Sequence, residues 1–502
     1  MPRRSATSVS TVPSCETGVM AVRRSISRIF ADAAADDPSR VLLVDADGEV
    51  TAAALDAAAS RLSATLRASG VGRDDLVAIS LPNDRSFVVA AVAVWRAGAT
   101  PLPIAPHRSD EERAALVRAA GPTAFVGDGA VDASVSTVPS ARVAAAWVGA
   151  PVPPTEDVWA AHWKAVPSSG STGEPKIVLA AGPALFDPTR PVADFLPREA
   201  VQLVSGPLWH SAVFTYAMRG LMTGHRLIVL PRFEERAWLE AVARHGVTWA
   251  LLVPTMMHRL LREPAHATAD VSSLETIVHM GAPCPVVLKT RFLEWLGPQR
   301  VIEVYAGSES NGLTMIGGEE WLRHPGSVGR PIGGTEVQIR RVDGTRAVVG
   351  EVGEVWMRRG ADPAYRYLNA PSRRDAEGWD TLRDLGTLDA DGRLFLRDRV
   401  DDVIVCGGVR IPPAKVEAVL ESHPSVRSAL AFGLPDGRGG ELVAAVVDVA
   451  ESSVDAEELD RWAEEEFDPA HRPVRIHVVR EPLRNDAGKA SRGAWARRLR
   501  EA

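Results

Sequence analysis

Ser168-Ser-Gly-Ser-Thr-Gly-Glu-Pro-Lys176 is the stretch of this chain that says most about its fold. The glycines let the backbone turn tightly and bring N–H groups close to an anion. The hydroxyl side chains add donors, and Lys176 adds a positive charge suited to phosphate oxygens. The spacing of a Walker A loop, GxxxxGK followed by Ser or Thr, is absent. Because Ser, Gly, Thr and Pro also cluster in ordinary surface loops, composition alone leaves both interpretations open.

Strand and helix signals alternate on both sides of this loop. Residues 76–81 (LVAISL) predict a buried strand, and the apolar residues 87–97 predict a helix that stops at Gly98. Alternation of this kind is typical of an α/β architecture with largely parallel sheets. A chain of 502 residues exceeds what one hydrophobic core usually supports, so two or more domains are expected.

A shift in composition near residue 400 marks the expected boundary between domains. Residues 397–402 (RDRVDD) are densely charged, as inter-domain segments often are. Beyond them the pattern predicts a strand at 403–406, a helix around 416–420, strands at 429–434 and 442–449, a polar helix at 455–467 and a last strand at 474–479. We therefore predict a flexible tail (1–20), a large N-terminal domain (21–400) and a small α+β C-terminal domain (401–502).

Charge and cysteine content argue against several classes of protein. The net charge is −7 and no long basic block is present, which speaks against a nucleic-acid partner. The three cysteines, Cys15, Cys284 and Cys406, show neither CxxC spacing nor a neighbouring histidine cluster. The sequence therefore predicts a reducing, cytoplasmic location and no structural zinc. No uninterrupted apolar run is long enough to span a bilayer.

The order of residues in the loop at 168–176 resembles the signature loop of the ANL superfamily, which comprises acyl-CoA synthetases, peptide-synthetase adenylation domains and firefly-type luciferases. The resemblance covers nearly the whole chain after residue 20, and further motifs follow in the family's order. It implies the ANL fold, with a large α/β domain that binds AMP and a small mobile α+β domain. It also implies that the protein uses ATP and Mg²⁺ to convert a carboxylic acid into an acyl-adenylate. Coenzyme A (CoA) then receives the acyl group, as in bile-acid and fatty-acid CoA ligases.

Three motifs resemble segments that the family places around the nucleotide. Pro207-Leu-Trp-His210 resembles the segment whose histidine lies near the acid and the phosphates, although a lone histidine is more often structural. Gly281-Ala-Pro283 resembles the turn that lies against adenine. Tyr305-Ala-Gly-Ser-Glu309 resembles the YGxTE motif, which places a tyrosine near adenine, a hydroxyl near phosphate and a glutamate on Mg²⁺. Mg²⁺ prefers a few carboxylate oxygens together with phosphates and water.

Further motifs lie near the expected domain boundary. Asp384 follows Gly378-Trp379 and resembles the aspartate that binds the ribose hydroxyls, but Leu382-Arg383 replaces the usual Thr-Gly before it. That arginine is expected either to contact a phosphate or carboxylate or to crowd ATP. Arg399-Val-Asp-Asp402 resembles the hinge, with Arg399 on ribose and Asp401 as the pivot. A solvated loop is the ordinary interpretation of such a charge run.

The last two motifs belong to the expected small domain. Gly407-Gly-Val-Arg-Ile-Pro412 resembles the strand whose glycine pair, Gly407 and Gly408, lets the pantetheine arm of CoA pass close to the backbone. Asn485-Asp-Ala-Gly-Lys489 resembles the motif with the lysine that is essential for adenylation. The resemblance thus implies catalytic residues Lys489, Lys176, His210 and Glu309, Mg²⁺ ligands Glu309 and Thr172, and contacts to ATP or AMP from Ser168, Ser169, Gly170, Ser171, Thr172, Gly173, Lys176, Gly281, Ala282, Pro283, Tyr305, Ser308, Asp384 and Arg399.

The sequence specifies the acid and the acceptor less closely. Trp209, Phe214, Trp249 and Met256 lie near pocket-lining segments of relatives, although each also suits core packing. By similarity to ligases for bulky acids, we predict a bulky hydrophobic carboxylate, a terpenoid or fatty acid. Two alternatives stay open. One is a stand-alone adenylation enzyme that loads a carrier protein in trans. The other, suggested by Leu382-Arg383, is a single-step relative that performs only thioesterification.

Overall fold

The computed structural model describes residues 23–129, 131–168, 176–407, 409–437, 440–449, 454–467, 472–484 and 492–501. The predicted tail at 1–20 therefore lies outside the described residues. Before residue 400 the strands are β1 (Arg24–Ser25), β2 (Val41–Asp45), β3 (Gly48–Thr51), β4 (Leu76–Ser80), β5 (Thr100–Pro103), β6 (Ala124–Gly127), β7 (Ser136–Val138), β8 (Ala165–Pro167), β9 (Ile177–Ala180), β10 (Leu185–Phe186), β11 (Val201–Val204), β12 (Arg226–Val229), β13 (Trp249–Leu252), β14 (Thr276–His279), β15 (Val301–Ala306), β16 (Leu313–Gly317), β17 (Ser327–Pro331), β18 (Thr335–Arg340), β19 (Gly353–Arg359), β20 (Tyr365–Tyr367), β21 (Asp380–Leu388) and β22 (Leu394–Arg399).

Helices connect many of these strands. They are α1 (Ile26–Asp36), α2 (Ala52–Ala68), α3 (Arg85–Arg96), α4 (Asp110–Ala120), α5 (Ser140–Ala145), α6 (Ser211–Met222), α7 (Glu235–His245), α8 (Pro254–Arg262), α9 (Val286–Leu296) and α10 (Gly318–Arg323), with short 3-10 helices at Pro264–Ala267 and Pro298–Arg300. Within the described ranges, no helix combines the length and the apolar character needed to cross a membrane.

A 13-stranded sheet forms the centre of this part, in the order β18-β19-β21-β22-β17-β16-β15-β14-β13-β11-β12-β2-β3. The strands from β15 to β2 in this order pair in parallel, with helices between them in the chain. This confirms the predicted α/β class. From β15 to β18 the pairs are antiparallel, including the pair of β17 with β22, which are distant in the sequence.

A second, four-stranded sheet in the order β5-β4-β6-β7 is parallel throughout. The predicted strand at 76–81 and helix at 87–97 are confirmed here as β4 and α3. Asp84 begins α3, since its side chain accepts a hydrogen bond from the Ser86 amide. The helix is buried from Phe87 to Arg96, so it lies inside the core between the two sheets' apolar faces and neighbouring helices.

After residue 400 the chain forms a smaller α+β unit. It contains β23 (Ile404–Cys406), β24 (Val409–Ile411), α11 (Pro413–Leu420), β25 (Val426–Pro435), β26 (Glu441–Val449), α12 (Ala456–Glu466), β27 (Arg475–Val479) and α13 (Arg492–Glu501). Two apolar clusters of this unit draw all their members from beyond residue 403, so it has its own core. The predicted strands and helices match these elements, but α13 was not predicted. The boundary at residues 400 and 401 stays a prediction.

Candidate active site

The loop at residues 168–176 joins two paired strands. β8 runs antiparallel to β9, and the Ser168 amide donates to the Lys176 carbonyl over 2.7 Å. The Ile177 amide donates to Asn369 Oδ1 over 2.9 Å, which ties the same end of β9 to the segment after β20. Both ends of the loop are thus fixed against a small sheet. Ser169, Gly170, Ser171, Thr172 and Gly173 lie outside the described residues.

Lys176 and Glu309 meet at one tyrosine. The Lys176 ammonium lies 5.1 Å from the ring centroid of Tyr367, and the Tyr367 hydroxyl donates to Glu309 Oε1 over 2.7 Å. Burial, with the charge of Glu309, raises the pKa of Tyr367, so the phenol stays protonated as the donor. Tyr367 was missed by the sequence reasoning. The signal available was the Tyr-Arg-Tyr alternation of β20, which puts Tyr365 and Tyr367 on one face of the strand.

Glu309 fits the role of a magnesium ligand. One carboxylate oxygen is used by Tyr367, while Oε2 makes no hydrogen bond to the residues that the structure describes. Among those residues no group of three His, Cys, Asp or Glu side chains forms a metal cage. None is required, because Mg²⁺ in phosphate sites is usually held by one or two carboxylates, the substrate phosphates and water.

Tyr305, Asp384 and Arg399 form a second group. The Tyr305 hydroxyl donates to Asp384 Oδ2 over 2.6 Å, and Arg399 Nε lies 3.4 Å from Asp384 Oδ1. Asp384 and Arg399 face each other across the β21–β22 pair. Burial raises the pKa of the Asp384 carboxyl, against the opposing effects of the Tyr305 hydrogen bond and the Arg399 charge. Three residues expected around the nucleotide are therefore in contact.

The remaining nucleotide candidates lie at the carboxyl ends of parallel strands. Gly281, Ala282 and Pro283 follow β14, and Gly281 has a φ of +91°. Ser308 lies in the turn after β15, the neighbour of β14. His210 is the residue that precedes α6, in the connection after β11. Carboxyl ends of parallel strands share one sheet edge, which is where ligands of α/β proteins bind.

The candidates of the smaller unit are only partly described. Asp401 lies in the turn directly after β22, and Gly407, with a φ of +55°, follows β23. Gly408 and Lys489 lie outside the described residues. The roles of all these residues stay predictions.

Arg383, the residue that departs from the family pattern, takes part in ion pairs. Its Nη2 donates to Asp401 Oδ1 over 2.8 Å, and its Nη1 lies 3.3 Å from Glu354 Oε2. Its φ of +67° is in the left-handed region, where glycine is unstrained. Leu382, in contrast, packs beside Gly307 and Tyr305. The guanidinium is thus engaged by two carboxylates of the protein.

The four side chains that the sequence places near pocket-lining segments fall into two groups by burial. Phe214, Trp249 and Met256 are buried in the core. Phe214 packs against Trp95 and Trp163 at ring-centroid distances of 5.9 and 6.2 Å. Trp209 is partly buried against His107. Their main role in the structure is packing.

Comparison with known proteins matches this architecture to one family. The model of the AMP-binding enzyme family matches residues 30–367, and that of the AMP-binding enzyme C-terminal domain matches residues 415–489. The chain belongs to this family of AMP-binding enzymes. It is similar to a 3-[(3aS,4S,7aS)-7a-methyl-1,5-dioxo-octahydro-1H-inden-4-yl]propanoyl:CoA ligase of Mycobacterium tuberculosis, with 30% identity over 91% of this chain and 95% of the relative. It is also 28% identical to a feruloyl-CoA synthase of an Amycolatopsis species, over 90% of this chain and 94% of the relative.

Solved structures of o-succinylbenzoate CoA synthetase from Bacillus subtilis are similar as well. One holds the acyl-adenylate intermediate (TM-score 0.79, 26% identity, 94% of this chain and 98% of that chain). Another holds ATP and a magnesium ion (TM-score 0.78, 27% identity, 93% and 98%). The protein is an AMP-forming acyl-CoA ligase of the ANL superfamily. Its co-substrates are ATP and CoA, and it uses Mg²⁺.

Proposed function

We propose that this ligase activates a carboxylic acid with a bulky apolar body, and that the residues described above carry the reaction. The observation that supports it best is the pair of contacts Lys176–Tyr367–Glu309 and Tyr305–Asp384–Arg399. The first group suits the phosphates of ATP and the second suits its nucleoside. The two groups adjoin at the end of β15, which contains Tyr305 and is followed by Glu309.

In the first half-reaction a carboxylate oxygen of the acid attacks the α-phosphorus of ATP, and the bond to the β-phosphate oxygen breaks. Both reactants are anionic, so the protein has to offset their repulsion and hold them in line. Lys489 bridges the carboxylate and the α-phosphate, while Lys176 and the loop amides hold the departing pyrophosphate. Asp384 and Arg399 hold the ribose. Glu309 and Thr172 would hold Mg²⁺, which would offset part of the phosphate charge.

In the second half-reaction the thiol sulfur of CoA attacks the acyl carbon, and AMP leaves with the bonding electron pair. The thiol needs contacts that differ from those of pyrophosphate. Asp401 serves as the pivot about which the smaller unit rotates, a hinge-type change. Gly407 and Gly408 then line the passage of the pantetheine arm, where side chains would obstruct it.

The apolar cluster beside α6 supports a bulky acid. Phe195 and Tyr216 belong to it, together with partly buried Val213 and Ala212. The similar ligases are named for acids with ring systems, feruloyl and a methyl-dioxo-octahydroindenyl propanoyl group. Because ATP and CoA are its co-substrates and its cysteines suit a reducing compartment, we place the enzyme in the cytoplasm.

The test is pyrophosphate release with ATP, Mg²⁺ and a panel of acids, with and without CoA. We expect acid-dependent release, and acyl-CoA only when CoA is present. Lys489→Ala should abolish pyrophosphate release yet still form thioester from supplied acyl-adenylate. Asp401→Pro should keep pyrophosphate release and lose thioester formation. Arg118→Ala, at an exposed arginine of α4, is the control. Thioester formed only on a carrier protein would show that the acceptor is not CoA. Equal losses of both half-reactions in either variant would contradict the role assigned to that residue.

A further inference from the structure

Two cations, buried Lys164 and half-buried Arg219, lie against one indole ring. Lys164 Nζ is 5.0 Å from the ring centroid of Trp163, and Arg219 Cζ is 5.2 Å from it. Lys164 is only 4% exposed. In the part of the chain that the structure describes, neither cation has a carboxylate within ion-pair distance, and the Arg219 guanidinium makes no hydrogen bond. Neither residue was singled out in the sequence.

Stability alone does not account for this arrangement. Removing an ion from water costs several kcal/mol even after relaxation, and a like charge nearby adds to the cost. A cation–π contact returns only about 0.5–2 kcal/mol. Burial, with the charge of Arg219, lowers the pKa of Lys164 to about 7. The two side chains therefore form an electropositive site that an anion would stabilise.

The hydrogen-bond donors around these cations suit an anion. Lys164 Nζ donates to Ser211 Oγ over 3.2 Å and to Thr215 Oγ1 over 2.7 Å. An ammonium has three donors, so one is left over. Each hydroxyl accepts from the lysine and keeps its own O–H for a further acceptor. Ser211, Thr215 and Arg219 recur at intervals of four residues, so they share one face of α6.

The position of α6 relates this face to the acid-binding region of the proposed function, on which this step rests. α6 begins next to His210, which we place near the reacting carboxylate. Arg219 is nine residues further on, a distance of about 13 Å along the helix axis. Beside it lies Tyr216 of the apolar cluster. A ligand that reaches from His210 to Arg219 thus has an apolar middle and a polar far end.

We propose that Lys164 and Arg219, with the hydroxyls of Ser211 and Thr215, bind a second anionic group at the far end of the acid. The substrate class is a carboxylic acid with an apolar body and a second carboxylate, or a sulfonate or phosphate in its place. The planar guanidinium of Arg219 accepts such a group in bidentate fashion, and Lys164 supplies a point charge.

The test compares matched acids. Straight-chain α,ω-dicarboxylic acids of about eight to sixteen carbons, lengths chosen to bridge the His210–Arg219 spacing, are compared with monocarboxylic acids of equal length. Pyrophosphate release should favour the best diacid by about tenfold or more in kcat/KM. Arg219→Met should remove this preference by raising the KM for the diacid, leaving the KM for ATP and for monoacids unchanged. Lys164→Met should have a smaller effect in the same direction. Arg219→Lys should restore part of the preference.

The control is Arg236→Met, which removes an exposed arginine of α7 that pairs with Glu263. A rise in the KM for ATP with every acid in Arg219→Met would assign the cations to the nucleotide and overturn the proposal. Equal rates with diacids and monoacids in the native enzyme and in Arg219→Met would overturn it too. Calorimetric titration of the protein with the diacid tests the second anion-binding site independently of the ligase activity. Binding that Arg219→Met abolishes supports the second site even without turnover, and absence of diacid binding to the native protein refutes it.

Discussion

Asp384 is a half-buried carboxylate whose charge depends on two neighbours. Burial raises its pKa, while the Tyr305 hydroxyl and Arg399 favour the ionised form. In Tyr305→Phe the hydrogen bond is lost, so the pKa of Asp384 should rise further. A hydrogen bond to a charged group contributes about 1.5–3 kcal/mol, so its loss favours the protonated carboxyl. Because ribose hydroxyls are bound by the ionised form, we expect the acidic limb of kcat/KM for ATP to move to higher pH.

The measurement is pyrophosphate release at limiting ATP across the pH range. The matched control is Tyr365→Phe, which removes a hydroxyl that donates to buried Asp380 over 2.8 Å in the same way. That variant should lose stability and keep the acidic limb of the wild type. An unchanged limb in Tyr305→Phe would show that Asp384 does not need this neighbour to bind ATP.

Lys164 should make the folded state sensitive to pH. Its pKa falls from 10.5 to about 7 on burial, with Arg219 lowering it and Glu309 raising it. Between these values the unfolded chain holds one proton more than the folded chain. The free energy of unfolding therefore rises with pH across this window, by on the order of 4 kcal/mol. Lys164→Met lacks this cost, so we expect it to exceed the wild type in stability near pH 7 and to lose that advantage towards pH 10.

Urea unfolding of both proteins at several pH values measures this difference. Part of the gain is offset because the hydroxyls of Ser211 and Thr215 lose a partner, about 1 kcal/mol each. Arg118→Met, at an exposed arginine of α4, serves as the control and should follow the wild type at every pH. If Lys164→Met is less stable than the wild type at pH 7, the contacts of the Lys164 ammonium already compensate for the cost of burying it.

At the scale of elements, local pattern was enough for some predictions and too little for others. β4 and α3 were predictable because their apolar runs and the glycine stop are contiguous in the sequence. The antiparallel strands between β16 and β22 were not, since alternation does not reveal which strands pair. α13 is rich in arginine and lacks a continuous apolar stripe, so nothing in its pattern marked it as packed.

The candidate site shows the same limit. Lys176, Glu309, Asp384 and Arg399 were found because each lies in a motif. Tyr367 lies in β20 and Lys164 directly precedes β8, in segments that look like ordinary core, and the pairing of β20, β9 and β8 brings these segments together. Their function depends on neighbours distant in sequence, such as Glu309 and α6. Such contacts have no local signature.

β20 places Tyr367 so that it orients Glu309 and supports Lys176. Tyr367→Phe keeps the ring under the ammonium and removes the hydroxyl that donates to Glu309. The carboxylate then loses a fixed orientation, and we expect the Mg²⁺ concentration for half-maximal pyrophosphate release to rise about three- to tenfold, equivalent to a hydrogen bond of about 1 kcal/mol. Tyr367→Leu also removes the ring and should raise the KM for ATP as well. An Mg²⁺ dependence that is identical in Tyr367→Phe and the wild type would contradict this role.

Across the whole molecule, the smaller unit contacts the larger one near β22. Asp398 Oδ2 accepts from the Ala414 amide at the start of α11. Arg383 adds a link on the other side, from β21 to Asp401. Because Asp401 is the proposed pivot, the Arg383–Asp401 ion pair has to break or re-form whenever the smaller unit rotates.

Arg383 therefore combines two opposing effects that substitution can separate. Its left-handed backbone costs about 1–2 kcal/mol relative to glycine, and its partly exposed ion pairs return about 1 kcal/mol. Arg383→Gly removes both effects, so its stability should stay near that of the wild type. Arg383→Ala removes the ion pairs and keeps the strain, so it should lose about 1 kcal/mol.

Arg383→Gly and Arg383→Ala both remove the ion pair with Asp401, so we expect them to have the same effect on the rate of acyl transfer. If the ion pair restrains rotation, acyl transfer to CoA from preformed acyl-adenylate should accelerate about two- to fivefold in Arg383→Gly and in Arg383→Ala alike, the factor that about 0.5–1 kcal/mol of lost pairing allows. Single-turnover thioester formation measures it. Glu354→Gln removes the second carboxylate partner without touching Asp401, so its transfer rate should stay near that of the wild type. The transfer rate could instead change in Arg383→Ala and stay unchanged in Arg383→Gly. That result would mean that backbone strain at β21, and not the ion pair with Asp401, governs the transfer step.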